Sequence, residues 1–295
     1  MSELAERLLA AYADGGCNDA ADHPALPARS AITEVCGLLL RLFFPGFFAP
    51  VQRVDLPTVV AADLDRLQAL LGQAVAGAEA YSALLVGSPG RSADDLVAAA
   101  LAELEPVRAL LLSDVDAAFA NDPAAADRAT IILGYPCIEA LAVQRFAHRL
   151  YRLGIPIVPR MMTEVVHGRT GIDIHPGAAI GPSFFIDHGT GVVIGETSQI
   201  GAHCVLYHGV TLGAWNPLVR DDHGDLLRGQ SNKRHPDLED HVTVYPGATI
   251  LGGDTVIGAH SVIGGNVWLT RSVPARSVVT LKDPETQLAV RQRRS

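Results

Sequence analysis

Two short segments of the chain place histidine next to charged residues, and both could carry chemistry. One is Asp187-His188, and the other is Lys233-Arg234-His235. A neutral imidazole has a pKa near the working pH, so it can act as a general base. An arginine guanidinium can bind a carboxylate through two parallel hydrogen bonds. These residue types favour general-base chemistry next to a site for an anionic group.

Both segments interrupt a pattern in which an apolar residue returns every six positions over residues 172–269. The step is eight residues from Ile186 to Ile194 and 32 residues from Leu212 to Val244. Helices favour a period of 3.6 and half-buried strands a period of 2, so a period of six predicts a parallel β-helix. Interruptions of the repeat add nothing to the stability of such a solenoid, so we expect them to have a functional role. The apolar register is Ile174, Ile180, Ile186, Ile194, Ile200, Leu206, Leu212, Val244, Ile250, Val256, Val262 and Trp268.

Glycines recur within this pattern, where each short strand must turn a corner. Glycine adopts positive φ at no steric cost, so we expect positive φ at these positions. The positions are Gly181, Gly195, Gly201, Gly213, Gly252 and Gly258.

The remaining sequence places a helical region before the β-helix. Residues 1–155 show the apolar spacing of amphipathic helices. The predicted fold class is α+β, with an N-terminal all-α domain followed by a left-handed parallel β-helix of hexapeptide repeats. The β-helix domain is expected over 156–275 with an inserted loop at 213–241, and residues 276–295 are expected to form a polar C-terminal tail.

Composition narrows the class of protein. The chain is 48% hydrophobic and 19% charged, which suits a large buried core and argues against disorder. A net charge of −9 argues against nucleic-acid or membrane-surface binding. The four cysteines are scattered, as is typical of reduced thiols. The N-terminus resembles no secretory signal and the apolar stretch 31–50 contains charges, so we expect a cytoplasmic protein without a membrane span.

Four motifs together resemble the serine O-acetyltransferases of cysteine biosynthesis, in particular the longer bacterial variety. The resemblance covers residues 110–275 and leaves residues 1–90 without an assigned role. It implies transfer of an acetyl group from acetyl-CoA to the hydroxyl group of L-serine. The motifs are Gly-Ile-Asp-Ile-His-Pro at 171–176, Ile-Asp-His-Gly-Thr-Gly at 186–191, Val-Ile-Gly-Glu-Thr at 193–197 and Lys-Arg-His-Pro at 233–236.

The resemblance gives His188 the role of general base. Asp173 lies 15 residues earlier, on a neighbouring turn of a coil of about eighteen residues. Its carboxylate is expected to orient the imidazole and to stabilise the imidazolium that forms. The alternative interpretation of Asp173 is a turn aspartate that bonds its own backbone.

The same resemblance assigns the binding of serine. Asp122 and Asp187 are expected at its amino and hydroxyl end. Arg234 is expected to bind its carboxylate, and His235 to hydrogen-bond that carboxylate or the tetrahedral oxyanion. Asp122 precedes a proline, and a plain helix N-cap would have the same sequence.

By the same resemblance, acetyl-CoA is expected to lie along the coil surface between two subunits. Small residues there would let its pantetheine approach the backbone, and Lys233 could neutralise a phosphate. Ala214 and Pro246 differ from the shorter enzymes of the family. No metal is expected, and the chain has no Walker or Gly-x-Gly-x-x-Gly loop. The corresponding positions are Gly213, Ala214, Lys233, Pro246, Gly247 and Gly264.

The resemblance also implies assembly and regulation. We expect a homotrimer or a hexamer built as a dimer of trimers, and inhibition by cysteine at the serine site. Many relatives insert a C-terminal isoleucine into cysteine synthase. This sequence ends in Gln292-Arg293-Arg294-Ser295, so the resemblance gives no support for cysteine synthase as a partner.

Other functions fit parts of the sequence. A zinc-type carbonic anhydrase on the same fold would use three histidines, and His203 and His208 have the required spacing, with His188 or His175 as the third ligand. A trimeric, non-catalytic scaffold would have no use for the charged interruptions. Acyltransferases with sugar or homoserine acceptors remain open, although Arg234 with an aspartate favours an α-amino acid.

Overall fold

The computed structural model of the chain describes residues 2–13, 26–87, 90–216, 220, 223–224 and 232–281. The predicted tail beyond 281 and most of the insertion's tip lie outside the described residues. The chain forms two compact units, of which one comprises Met1–Arg108 with Ala142–Val165 and the other Ala109–Leu141 with Val166–Ser295. The boundaries between the units fall within three of the helices. The domain limits expected from the sequence stay a prediction.

The N-terminal region is helical, as predicted. Within the first unit, α2 packs against α3 and α3 packs against α4. The helices are α1 (Glu3–Ala13), α2 (Arg29–Phe43), α3 (Leu56–Val86), α4 (Ala93–Leu101), α5 (Leu104–Asn121), α6 (Arg128–Gly134), α7 (Pro136–Arg152) and α8 (Val158–Thr170).

Helix α3 is long and apolar enough to span a membrane by length and composition alone, with a mean hydropathy of 1.4 in its most apolar window. Two of its acidic side chains, Asp63 and Glu79, are nevertheless buried and paired with Arg41 and Arg91. A core helix of a soluble protein passes the same length and composition test, so this is weak evidence for a span.

The second unit contains a parallel β-helix, which confirms the predicted fold. Its strands form three sheets, named here A, B and C, in which all neighbouring strands are parallel. Sheet A contains β1 (Asp173–Ile174), β4 (Val193–Ile194), β7 (Thr211–Gly213), β10 (Thr249–Leu251) and β13 (Trp268–Leu269). Sheet B contains β2 (Ala179–Ile180), β5 (Gln199–Ile200), β8 (Asp237–Leu238) and β11 (Val256–Ile257). Sheet C contains β3 (Phe185–Asp187), β6 (Val205–Tyr207), β9 (Thr243–Val244), β12 (Val262–Ile263) and β14 (Val278–Val279).

The inward-facing register follows the prediction as far as Ile250 and then departs from it. The sequence register predicts Val256, Val262 and Trp268 as the inward-facing positions, and this prediction is wrong. Trp268, for example, is 63% exposed. The buried positions are one residue later, at Ile257, Ile263 and Leu269. An extra residue enters the coil at Gly252-Gly253, where a Cβ on Gly253 would lie 2.3 Å from the carbonyl oxygen of Lys233. The returning insertion crosses the coil here, so only glycine fits.

Strand β8 lies inside the stretch predicted as an inserted loop. Asp237 and Leu238 pair with β5 on one side and β11 on the other. Leu238 is 2% exposed and continues the buried column of the coil. The excursion therefore ends before Asp237.

The three corners of the coil differ in backbone conformation. We name them A/B, B/C and C/A after the sheets that they join in chain order. A residue with positive φ stands two positions before each strand of sheets A and C. Among the six glycines predicted to have positive φ, Gly252 alone has it, so the prediction is wrong for the other five. The other expected glycines are required by close approach, as at Gly181, where a Cβ would lie 2.7 Å from the backbone of Gly201.

Candidate active site

His188 stands at the C/A corner, directly after strand β3. Its φ of 60° lies in the left-handed region, which histidine adopts more readily than most residues do. The side chain is 72% exposed, and its Nε2 lies 3.7 Å from Oδ2 of Asp187. The ring of His208, on the next coil, meets it edge-on with centroids 5.7 Å apart. The structure thus presents an accessible imidazole beside a carboxylate.

Asp122 and Tyr135 belong to the same compact unit as His188 and Asp187, and they lie near enough to interact electrostatically with them. Oδ1 of Asp122 accepts the N–H of Ala124 at 2.8 Å, and Oδ2 accepts the hydroxyl of Tyr135. These bonds lower the pKa of Asp122, mainly through Tyr135, and the charge of His188 lowers it further. The pKa of Tyr135 rises to about 12, chiefly because its hydroxyl bonds Asp122, with a smaller contribution from Asp187. Two predicted serine ligands therefore lie near the predicted base.

Helix α5, which leads to Asp122, is hydrogen-bonded to the turn before β3. Ser113 Oγ accepts the N–H of Ser183 at 2.9 Å. Oδ1 of Asp114, a fully buried side chain, accepts the N–H of Phe184 at 2.9 Å. Since β3 ends at Asp187, these two bonds set the position of the helix end relative to His188.

Arg234 and His235 lie at the A/B corner, where Thr197 holds both backbones. Thr197 Oγ1 accepts the N–H groups of Arg234 and His235, each at 3.0 Å. The N–H of Thr197 donates to Nδ1 of His235 at 3.1 Å. Because Nδ1 is an acceptor in this bond, the ring proton is assigned to Nε2, which is then a donor.

The surroundings keep His235 neutral. Burial is the main cause that lowers its pKa to about 4, and the charges of Arg234 and Lys233 add to the effect while Glu196 opposes it. The ring lies over Gly195, where a Cβ would stand 1.9 Å from Cδ2. A neutral Nε2–H at this place can hydrogen-bond a carboxylate or an oxyanion across the physiological pH range.

Charged neighbours also hold the side chains of Arg234 and Lys233 in place. The Arg234 guanidinium forms an ion pair with Glu196. Lys233 Nζ donates to the carbonyl oxygens of Thr197 and His235 at 2.6 and 2.5 Å, and to Asp237 Oδ1 at 2.5 Å. Lys233 therefore supports the loop backbone in this structure, and its role in neutralising a phosphate of acetyl-CoA stays a prediction.

Sequence reasoning gave no role to Tyr135, Glu196 and Thr197. Glu196 and Thr197 belong to a motif that the family resemblance singled out, and this was a signal that they serve the site. Tyr135 carries no such signal, because its partner Asp122 lies 13 positions away across a turn and a short helix.

The two groups of predicted site residues lie at different corners of one chain. Strand β4 and its flanks separate them, and residues 191–195 alone span about 13 Å at 3.3 Å per residue. The C/A corner carries Asp187, His188, Pro246, Gly247 and Gly264, and the A/B corner carries Gly213, Ala214, Lys233, Arg234 and His235. A single chain therefore does not bring His188 together with Arg234 and His235.

Asp173 lies between the two corners, at the start of β1 on the outward face of sheet A, and pairs in register with Val193. A carboxylate oxygen of Asp173 lies within 4.8 Å of a ring nitrogen of His167. The carboxylate beside the His188 ring is instead that of its chain neighbour, Asp187. The pairing of Asp173 with His188 stays a prediction.

The histidines of the carbonic anhydrase alternative do not converge within the chain. His175 follows β1 at the A/B corner, His203 precedes β6 at the B/C corner, and His188 and His208 stand at the C/A corner. The His203 ring stacks on that of His241, with centroids 4.8 Å apart. A single chain therefore does not combine His203 and His208 in one metal centre.

Comparison with known proteins gives consistent results, although no protein-family model matches the chain. A plasmid-encoded serine acetyltransferase of Synechococcus elongatus is 45% identical over 264 residues, which cover 86% of this chain and 82% of that protein. The structure of Entamoeba histolytica serine acetyltransferase 1 in complex with L-cysteine superposes with a TM-score of 0.74 at 38% identity, over 94% of this chain and 96% of that one. Soybean serine acetyltransferase complexed with serine gives a TM-score of 0.54 at 26% identity, over 85% of this chain and 97% of that one.

Proposed function

The chain belongs to the serine acetyltransferase family, and we propose that it transfers the acetyl group of acetyl-CoA to L-serine with His188 as general base. The observation that carries this assignment is the exposed imidazole at the C/A corner, with Asp187 and Asp122 beside it. The product is O-acetyl-L-serine, which serves cysteine biosynthesis. The proposed location of the enzyme is the cytoplasm.

The proposed reaction begins when the His188 imidazole takes the proton of the serine hydroxyl. The serine oxygen attacks the thioester carbonyl and forms a tetrahedral intermediate. Collapse of this intermediate expels the CoA thiolate, which receives the proton from the imidazolium. Asp187, 3.7 Å from the ring, stabilises the imidazolium. Asp173 keeps its proposed orienting role on the basis of the family resemblance.

Serine would be bound at both of its charged groups. Asp122 and Asp187 supply negative charge for the ammonium group next to the base. The Arg234 guanidinium suits the carboxylate, and the Nε2–H of His235 can donate to that carboxylate or to the oxyanion of the intermediate. The ion pair with Glu196 holds Arg234 in place for this contact.

The two-corner arrangement supports a site formed by two copies of the chain. We propose a homotrimer in which the C/A corner of one subunit faces the A/B corner of the next, as closed cyclic assemblies allow. Acetyl-CoA would lie in this seam, between Gly213 and Ala214 of one subunit and Pro246, Gly247 and Gly264 of its neighbour. Pairing of trimers into a hexamer and inhibition by cysteine remain proposals that rest on the resemblance.

Mixing two inactive variants tests the shared site. His188→Ala damages the C/A half and is expected to lower kcat by about 10²–10⁴-fold, while Arg234→Ala damages the A/B half. After co-expression in equal amounts, about one quarter of the sites combine two intact halves by random assortment, so about that share of activity should return. Differently tagged copies of His188→Ala serve as the control, and no recovery in the mixture would refute the shared site.

A thiol-release assay tests the acceptor. Acetyl-CoA should release CoA rapidly with L-serine and slowly with homoserine or a sugar, because those acceptors misplace the hydroxyl or lack the charged groups that Arg234 and Asp122 bind. A purified enzyme that leaves acetyl-CoA intact in the presence of L-serine would refute the proposed reaction.

A further inference from the structure

Tyr135 is a polar residue near His188 and Asp187 to which the proposed reaction assigns no role. It ends α6, and its backbone N–H bonds the carbonyl oxygen of Ile131 at 3.0 Å, so its position is set by the end of that helix. Its hydroxyl donates to Oδ2 of Asp122. A phenol has a single proton to donate, and here Asp122 receives it.

The bond to Tyr135 completes the support of the Asp122 carboxylate. Oδ1 is held from within the turn by the N–H of Ala124 at 2.8 Å. Oδ2 is held from outside the turn by Tyr135, 13 positions along the chain. One oxygen bonded locally leaves a carboxylate able to rotate about its Cβ–Cγ bond, whereas two bonds from different elements define its plane.

We propose that Tyr135 is a positioning residue that directs the Asp122 carboxylate at the ammonium group of L-serine. This inference rests on the proposed function, in which Asp122 binds that group. Tyr135 acts through Asp122 and not on the reacting atoms. Its hydroxyl keeps its proton throughout the working pH range, since its pKa lies at about 12, so it is a permanent donor and not a second base.

The inference is tested with Tyr135→Phe, which removes one oxygen atom and keeps the ring. We expect KM for L-serine to rise by about tenfold, the size of a charge-assisted contact that is weakened. The values of kcat and of KM for acetyl-CoA should stay within about twofold, because the base is untouched. Tyr12→Phe, at a 57% exposed position of α1, is the matched control and should equal the wild type.

A ligand without the ammonium group separates positioning from general damage. 3-Hydroxypropionate keeps the hydroxyl and the carboxylate of serine, and its inhibition constant against L-serine can be measured directly. If Tyr135 positions Asp122, the variant loses affinity for L-serine and keeps it for 3-hydroxypropionate. Equal loss for both ligands, or no loss for L-serine, would overturn the inference.

Asp122→Asn distinguishes failure of this inference from failure of the proposed function. If Asp122→Asn leaves KM for L-serine unchanged, the proposed ammonium site itself is wrong. If Asp122→Asn raises KM but Tyr135→Phe does not, then this inference alone fails. When both are right, adding Tyr135→Phe to Asp122→Asn changes KM by less than about twofold, because the two residues act as one unit.

Discussion

Gly195→Ala should disable His235 without altering any residue that contacts substrate. The added Cβ would lie 1.9 Å from Cδ2, 2.2 Å from Nε2 and 2.5 Å from Cγ of the His235 ring. Ordinary contact needs about 3.5 Å or more, so the ring must move by at least 1 Å. The ring cannot rotate away freely, because Nδ1 accepts the N–H of Thr197. Misplacement by about 1 Å can cost on the order of 100-fold in rate.

The assay is kcat/KM for L-serine at saturating acetyl-CoA, together with thermal unfolding. We expect a loss of about 100-fold in kcat/KM and a destabilisation of about 1–3 kcal/mol from overpacking. Gly72→Ala is the matched control, because nothing lies within 4 Å of its new Cβ in helix α3. In a His235→Ala background, Gly195→Ala should add little, since the clashing ring is gone. A single variant with wild-type activity and stability would refute the placement of His235.

Three further predictions concern variants of residues in the second unit. His235 has a folded pKa of about 4, below its unfolded value of about 6.5, so the unfolded chain binds more protons between these values and stability falls as the pH drops from 6.5 to 4. Denaturant unfolding should show that His235→Asn removes up to about 3 kcal/mol of this loss. Glu196→Gln removes the charge that pairs with Arg234 and should raise KM for L-serine by up to about fivefold in steady-state kinetics, as suits a partly exposed ion pair. Asp114→Ala leaves the buried N–H of Phe184 without its acceptor and should lower the free energy of unfolding by about 1–3 kcal/mol, whereas Asp114→Asn, which keeps an acceptor, should lose less.

The period of six was sufficient to predict the fold, because each side of the coil repeats one inward-facing position. The same pattern could not choose the inward face after Ile250. Apolar residues are adjacent in pairs there, as in Val256-Ile257 and Trp268-Leu269, and a slip of one residue exchanges the inner and outer faces. The choice depends on the extra residue at Gly252-Gly253, which only the path of the insertion explains.

The candidate site was predictable where it interrupts the repeat and unpredictable where it depends on tertiary contacts. His188, Arg234 and His235 are visible as departures from the period of six. Their separation onto two corners follows from the closure of the coil, which sequence spacing does not reveal. Thr197 holds His235 across 38 positions, so its role emerges only once the strands are stacked.

The two imidazoles of the proposed site are adapted to different tasks by their surroundings. His235 is buried beside two cations, which keeps it neutral and makes its Nε2–H a steady donor. His188 is exposed beside Asp187, so its ring is accessible to a substrate hydroxyl. Because the donor and the base belong to different corners, the assembly of subunits would complete the reaction centre. Activity should then depend on subunit association as strongly as on either histidine.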